Sequence, residues 1–238
     1  MKNLASINVA ILAGGLGTRL YLQLPGQQKV LAKVGEHLFL EHILDQLNEA
    51  GFKNVVICTG YLGNQVQEAF RDNYQSLSLS YSKENSPLGT AGAVRLALPL
   101  LVSDQILVTN GDSFFDCSLR KFYQFHLEKK GGGTIVLKEV SDTSRFGRVK
   151  LDGNDQIVSF EEKKEKGRRG FINGGIYLLT RSLLLEIPEK KFVSFERDIF
   201  PAMIGKRFYG FKSKGRFIDI GTPKSYQEAK EFFSKLAI

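Results

Sequence analysis

Apolar and polar positions along this chain follow two different periods, and the first half alternates between them. Ile7–Ala13 is apolar apart from Asn8 and closes on Gly14-Gly15, the pattern of a strand buried on both faces. Leu40, Ile43, Leu44 and Leu47 recur at helical spacing and Gly51 supplies a stop. Asn54–Thr59 predicts a second strand, and Asn64–Phe70 a short helix. Leu77–Tyr81 alternates apolar residues with Ser, as a half-buried strand does. Thr90–Leu98 predicts a helix ended by Pro99, and Gln105–Thr109 another buried strand that runs into Asn110-Gly111-Asp112. Strand followed by helix, repeated, predicts an α/β fold: a Rossmann-like, mostly parallel sheet flanked by helices.

The period changes after Leu119. A helix is predicted from about Leu119 to Lys129, ended by Gly131-Gly132-Gly133. Strand-like segments follow at Thr134–Val140, Arg148–Leu151, Ile157–Phe160 and Gly175–Leu179. Asp152-Gly153-Asn154 makes the second and third a hairpin. Phe208–Lys212 and Phe217–Ile220 are expected to form a further strand pair. The last helix starts with Thr222 as N-cap and Pro223 at the first helical position, and buries Tyr226, Ala229, Phe233 and Leu236. No internal repeat or Pro/Ser-rich linker interrupts the chain. Residues 1–238 therefore read as one domain, with about 1–118 as one half and a smaller, β-rich part in about 119–238.

Composition narrows the partners. The hydrophobic share of 42% and charged share of 24% are ordinary for a soluble protein, and no apolar run is long enough to cross a bilayer. The N-terminal run lacks the shape of a secretion signal, so a cytoplasmic location is expected. Cys58 and Cys117 are too few and too far apart for a disulfide framework or a zinc site. His37, His42 and His126 lie on helical segments without metal-ligand partners. A net charge of +8 suits anionic ligands, but the basic residues are scattered and no nucleic-acid-binding motif accompanies them. Small phosphorylated molecules are the expected ligands, with neither nucleic acid nor membrane as a partner; homo-oligomerisation is left open.

Three features carry chemistry. Leu12-Ala13-Gly14-Gly15-Leu16-Gly17-Thr18-Arg19 follows the first strand, and its glycines let backbone N–H groups approach phosphate oxygens while Arg19 adds a permanent charge. It lacks the Gly-Lys-Ser/Thr of a phosphate-binding P-loop. Leu20 stands where a dinucleotide fingerprint needs its third glycine, which disfavours a dinucleotide-dependent oxidoreductase. Lys29 adds a second cation that could neutralise a leaving pyrophosphate. Asp112 and Asp219 each end an apolar strand, where side chains enter the ligand crevice. A divalent cation, Mg²⁺ by usual preference, relieves the cost of burying two such carboxylates. Helix capping is the plainer alternative for both, although Thr222 already caps the last helix.

Together these residues resemble the sugar nucleotidyltransferase family, also called nucleotide-sugar pyrophosphorylases. Matching stretches are Ala13–Arg19, Pro87-Leu88-Gly89-Thr90-Ala91-Gly92-Ala93, Asn110-Gly111-Asp112, Arg145-Phe146-Gly147, Glu162-Lys163, Asn173-Gly174-Gly175-Ile176-Tyr177 and Phe217–Pro223, in family order. Their details are most similar to the guanylyltransferases acting on D-glycero-α-D-manno-heptose 1-phosphate, with those acting on mannose 1-phosphate next. The resemblance implies a GT-A-like fold and a cytoplasmic enzyme. It would join a nucleoside triphosphate, GTP above the others, to a sugar 1-phosphate for surface polysaccharide synthesis.

It also implies roles. Leu12, Ala13, Gly14, Gly15, Gly17 and Thr18, with Gly89, Thr90, Asn110 and Gly111, would hold the nucleotide. Arg19 and Lys29 would contact phosphates, and Asp112 and Asp219 would bind Mg²⁺. Gly147, Glu162, Lys163, Asn173 and Gly174 would line the sugar-phosphate side. Two departures stand out. Gln28-Lys29-Val30 replaces the usual Pro-Lys-Pro, so a more mobile loop is expected, and Ala91 replaces a glycine, which would alter the base pocket slightly. Other readings are a uridylyl- or thymidylyltransferase, and a non-catalytic nucleotide-sugar-binding regulatory subunit. Retention of Arg19, Lys29, Asp112 and Asp219 argues against the regulatory subunit.

Overall fold

The computed structural model describes residues 3–20, 22–161 and 167–234. Its first four long strands are β1 (Asn8–Ala13), β2 (Asn54–Thr59), β3 (Leu77–Lys83) and β4 (Gln105–Asn110). They run parallel in the spatial order β3-β2-β1-β4. Strictly alternating side chains explain why the strands are apolar throughout. Val9, Ile11 and Ala13 enter the core on one face of the sheet, while Ala10 enters the core on the other. Val55 and Ile57 against Val56 and Cys58 repeat the arrangement on β2.

Beyond three two-residue strands, the others are β5 (Ser113–Phe115), β6 (Gly133–Val140), β7 (Arg148–Leu151), β8 (Ile157–Glu161), β9 (Gly170–Thr180), β10 (Phe208–Ser213) and β11 (Phe217–Asp219). β9 joins the two halves of the molecule. Its second half pairs antiparallel with β4, its first half reaches β7 through Val149 opposite Phe171, and β6 runs along its other edge. Gly175–Leu179 is thus the end of a longer strand than the sequence pattern marks, because Asn173-Gly174-Gly175 forms a bulge that breaks the alternation. The β7–β8 hairpin forms as expected.

The expected pairing of Phe208–Lys212 with Phe217–Ile220 does not occur. β10 runs parallel to β6, whereas β11 turns away and pairs antiparallel with β5, placing Phe217 and Ile218 opposite Phe115 and Phe114. The other edge of β10 is met by Gln156 opposite Tyr209 and by the Gly210 N–H donating to the Asp155 carbonyl at 2.9 Å, while β5 offers β11 aromatic partners. A bond from the Ile220 N–H to the Asp112 carbonyl, at 2.9 Å, continues this ladder.

Helices cover both faces. α1 (Phe39–Ala50), α2 (Gly63–Phe70), α4 (Leu119–Lys129) and α7 (Pro223–Ser234) pack on one side, and α3 (Gly89–Ala97), α5 (Arg181–Leu185) and α6 (Phe200–Met203) on the other. The α1 face predicted from the spacing, Leu40, Ile43, Leu44 and Leu47, is buried, each side chain contributing about 1.5–3 kcal/mol by burial. Thr222 Oγ1 accepts the Ser225 N–H at 3.2 Å and so caps α7. Ala229 and Phe233 are buried beneath it, while Leu236 lies outside the described residues. His126 on α4 is buried, with Nδ1 2.8 Å from Thr134 Oγ1 and Nε2 2.8 Å from Gln105 Oε1. Cys58 and Cys117 are buried free thiols, each pushed up to about 12 by desolvation.

Candidate active site

The carboxyl ends of β1, β3 and β4 open onto one crevice, the position where parallel α/β sheets take their ligands. A cavity of about 330 Å³ there is lined by Leu12, Ala13, Gly14 and Gly15 after β1, by Glu84 after β3, and by Asn110 and Asp112 after β4. Gly89 and Thr90 close it from the start of α3, and Lys29 reaches in from its loop. Of the residues expected on this side, Gly17, Thr18 and Gly111 stand off the cavity wall. Gly111 instead donates its N–H to the Leu12 carbonyl at 2.9 Å, locking the β1 and β4 ends together.

A second cavity, of about 900 Å³, lies towards the β-rich half and shares Asn110 and Asp112 with the first. Arg145, Gly147, Arg148, Glu161, Asn173 and Asp219 line it, and Arg19 lies on this side rather than in the smaller cavity. The β9 bulge aims Asn173 into it. Gly175 has φ +76°, a left-handed conformation that glycine adopts without strain, and a Cβ there would stand 2.8 Å from Ser113 Oγ. The Asn173 carbonyl Oδ1 accepts the Gly175 N–H at 2.9 Å, and Nδ2 donates to the Tyr177 hydroxyl at 2.9 Å. Gly174 faces Phe115 and the Val136 carbonyl instead of the cavity. Glu162 and Lys163 lie outside the described residues.

Each of the two aspartates carries a cation of the chain itself. Lys29 Nζ donates to Asp112 Oδ2, and Arg145 Nη2 to Asp219 Oδ2 at 3.2 Å. Asp219 Oδ1 accepts the Gly221 N–H at 2.9 Å, a local turn that fixes the carboxylate direction. Because Asp219 is registered opposite Ser113, the β5–β11 pairing brings two aspartates 107 positions apart in number to one cavity wall. No group of three or more His, Cys, Asp or Glu side chains gathers among the described residues. A caged all-protein metal site is therefore absent there. Two carboxylates on the wall of one cavity fit Mg²⁺, which binds through one or two carboxylates and completes its shell with phosphate oxygens and water.

Sequence reasoning misjudged one residue and passed over another. Gln28 is buried: its Nε2 donates to the Ala13 carbonyl at 2.7 Å and the Tyr61 carbonyl at 3.2 Å, while Oε1 accepts the Val30 N–H at 3.2 Å. The side chain standing in place of proline thus fastens the Lys29 loop to the glycine loop instead of loosening it. Glu84 is the other. Its Oε2 accepts the Leu88 N–H at 3.0 Å, and Oε1 sits so close over the glycine loop that a Cβ on Gly14 would stand 2.9 Å away. Desolvation holds its carboxyl above the usual carboxylate range, partly offset by the Leu88 N–H. A Glu that follows strand β3 gives no spacing signal; only the signal that β1 and β4 also end in this crevice could have marked it.

The chain is similar to known proteins over most of its length. The profile of the family described as "Nucleotidyl transferase" matches residues 8–235. The D-glycero-alpha-D-manno-heptose 1-phosphate guanylyltransferase of Aneurinibacillus thermoaerophilus is 35% identical over 223 residues, covering 93% of this chain and 96% of that protein. The mannose-1-phosphate guanylyltransferase of Mycobacterium tuberculosis is 32% identical, with 92% of this chain matched to 62% of its length. Among solved structures, HddC from Yersinia pseudotuberculosis superposes with a TM-score of 0.85 at 32% identity, covering 95% of this chain and 99% of that one. The same protein complexed with GMP-PN superposes with a TM-score of 0.83.

Proposed function

The chain belongs to the nucleotidyl transferase family and is a sugar-1-phosphate nucleotidyltransferase, and on that premise we propose that it transfers a guanylyl group from GTP to D-glycero-α-D-manno-heptose 1-phosphate. The observation that carries this reading is the pair of cavities meeting at Asn110 and Asp112. One is walled by the glycine loop and the start of α3, as a nucleotide requires, and the other is lined by Arg19, Arg145, Arg148 and Arg197, which suit a sugar phosphate. The phosphate oxygen of the sugar 1-phosphate attacks the α-phosphorus in line, the bond from that phosphorus to the bridging oxygen breaks, and pyrophosphate leaves. The nucleophile is already an anion at neutral pH, so no general base is needed.

Catalysis then consists of positioning two polyanions and cancelling their repulsion. Lys29, Arg19 and Arg145 supply fixed positive charge along the path between the cavities. Asp112 and Asp219 would hold a divalent cation, Mg²⁺ in this reading, which would supply Lewis-acid charge for the phosphates. Leu12–Gly15, Gly89 and Thr90 would cradle base and ribose, while Gly147, Asn173, Glu162 and Lys163 would serve the sugar phosphate.

Glu84 favours guanine. The guanine edge presents adjacent N1–H and N2–H donors, which a carboxylate takes as a bidentate pair. Uracil and thymine present carbonyl oxygens beside their single N–H, and these repel a carboxylate. Heptose over mannose rests on the heptose 1-phosphate enzyme being matched over 96% of its own length at 35% identity, against 62% at 32% for the mannose 1-phosphate enzyme. The product is an activated sugar for surface polysaccharide, made in the cytoplasm where GTP is available; among the described residues no helix is long and apolar enough to cross a membrane. Pyrophosphate release measured across four nucleoside triphosphates and a panel of hexose and heptose 1-phosphates tests the reading. Preference for a pyrimidine triphosphate would overturn the base assignment, and activity confined to hexoses the heptose assignment.

A further inference from the structure

The segment after α5 runs between the two cavities and touches both. Phe192 lines the smaller cavity, while Ser194, Glu196 and Arg197 line the larger. Val193 pins the segment to the start of α3: its carbonyl accepts the Ala91 N–H at 2.9 Å and its N–H donates to the Leu88 carbonyl at 2.8 Å. Phe195–Ile199 then forms one π-helical turn, anchored by buried Phe195 and Phe200. Such turns are uncommon and re-aim side chains. Here the turn places Glu196 at the cavity wall.

The surroundings of Glu196 differ from those of every other carboxylate in that cavity. Asp112 is paired with Lys29, Asp219 with Arg145, and Glu161 with Lys150 and Arg168. Among the described residues, Glu196 forms no ion pair. Hydroxyl groups surround it instead. Its Oε2 accepts from Ser194 Oγ at 2.9 Å and from Thr90 Oγ1 at 3.1 Å, and its Oε1 from the Tyr177 hydroxyl at 3.4 Å. Each of these hydroxyls is itself an acceptor for an N–H. Phe195 N–H donates to Thr90 Oγ1, Arg197 N–H to Ser194 Oγ and Asn173 Nδ2 to the Tyr177 oxygen. With those lone pairs engaged, the hydroxyl protons turn towards Glu196.

We propose that Glu196 recognises ring hydroxyls of the sugar 1-phosphate. An exposed carboxylate, oriented by hydroxyl donors and not neutralised by a cation, keeps acceptor capacity for a neutral polyol. Its Oε1, held only by the long Tyr177 bond, is the open acceptor. Arg148 and Arg197 on the same wall supply charge for the phosphate end, which leaves Glu196 to the uncharged end of the ligand. Thr90 lines the nucleotide cavity, so the direction of the Glu196 carboxylate is set from the nucleotide side. This assignment rests on the sugar-phosphate reading of the larger cavity.

The test compares wild type with Glu196→Gln, which keeps shape and loses one acceptor. Steady-state kinetics are run with GTP and mannose 1-phosphate, heptose 1-phosphate and their monodeoxy analogues, and GTP affinity is measured by calorimetry. The expected result is a KM for the sugar 1-phosphate raised roughly tenfold or more, with GTP affinity unchanged. At one ring position, the penalty wild type shows for the deoxy analogue should disappear in the variant. An unchanged sugar KM and an unchanged deoxy penalty in an active variant overturn the role of Glu196 and leave the function standing. A parallel loss of GTP affinity also overturns it, since that marks a merely structural strap. Wild type inactive on every sugar 1-phosphate overturns the functional reading and this assignment with it.

Discussion

At the scale of single residues, the site depends on charges cancelled within the chain before any substrate arrives. Lys29 and Arg145 sit on the two aspartates that would bind the cation, so cation binding must displace or share them. Asp112→Asn and Asp219→Asn are expected to lower turnover by roughly 10³-fold or more, with a thermal midpoint close to wild type. Turnover near wild type in both variants would remove the metal assignment. Glu84 gives a prediction with a definite sign. Desolvation raises its pKa in the ligand-free protein, whereas two guanine donors favour the ionised form. GTP binding should therefore be tightest above the raised pKa and weaken as pH falls through it. Calorimetric affinity against pH, compared with Glu84→Gln, isolates this component from titration of the phosphates; identical slopes in the two proteins would remove Glu84 from base recognition.

At the scale of elements, strands and helices followed from periodicity, and the β7–β8 hairpin from its turn, but the partners of β10 and β11 did not. The spacing of Leu40, Ile43, Leu44 and Leu47 specified α1 and its buried face. Nothing in Phe208–Lys212 or Phe217–Ile220 told that these strands separate, because both read as short apolar segments joined by a turn. The α4 contact with the sheet offers a measurable consequence. His126 is buried between Thr134 and Gln105, and desolvation lowers its pKa from 6.5 to about 4. A folded-state pKa below the unfolded value means that the neutral ring stabilises the fold above pH 6.5, and that this contribution is lost as pH falls towards 4. The loss amounts to roughly 3 kcal/mol over that window. Urea unfolding from pH 7 down to pH 4 should show it, and His126→Gln should flatten the slope. An equal slope in the variant would assign the acid sensitivity elsewhere.

At the scale of the whole molecule, β9 makes the two halves interdependent. It supplies Ile176 and Leu178 to one core and Tyr177 and Leu179 to the other, each against residues of β1 and β4. We expect one cooperative unfolding transition seen alike by circular dichroism and tyrosine fluorescence, and insolubility of a 1–118 fragment cut off from β9. Two separate transitions would divide the chain into domains. The sequence by itself determined the parallel half of the sheet, the glycine loop and the identity of the charged residues, because runs, spacings and turn residues are local and each acts within a few positions. Tertiary structure alone decided that β11 leaves β10 and pairs with β5, that Gln28 ties two loops, and that Glu84 and Glu196 face the cavities. Those outcomes depend on which strand edge, carbonyl or hydroxyl comes within hydrogen-bond reach across the fold, and no local pattern encodes that.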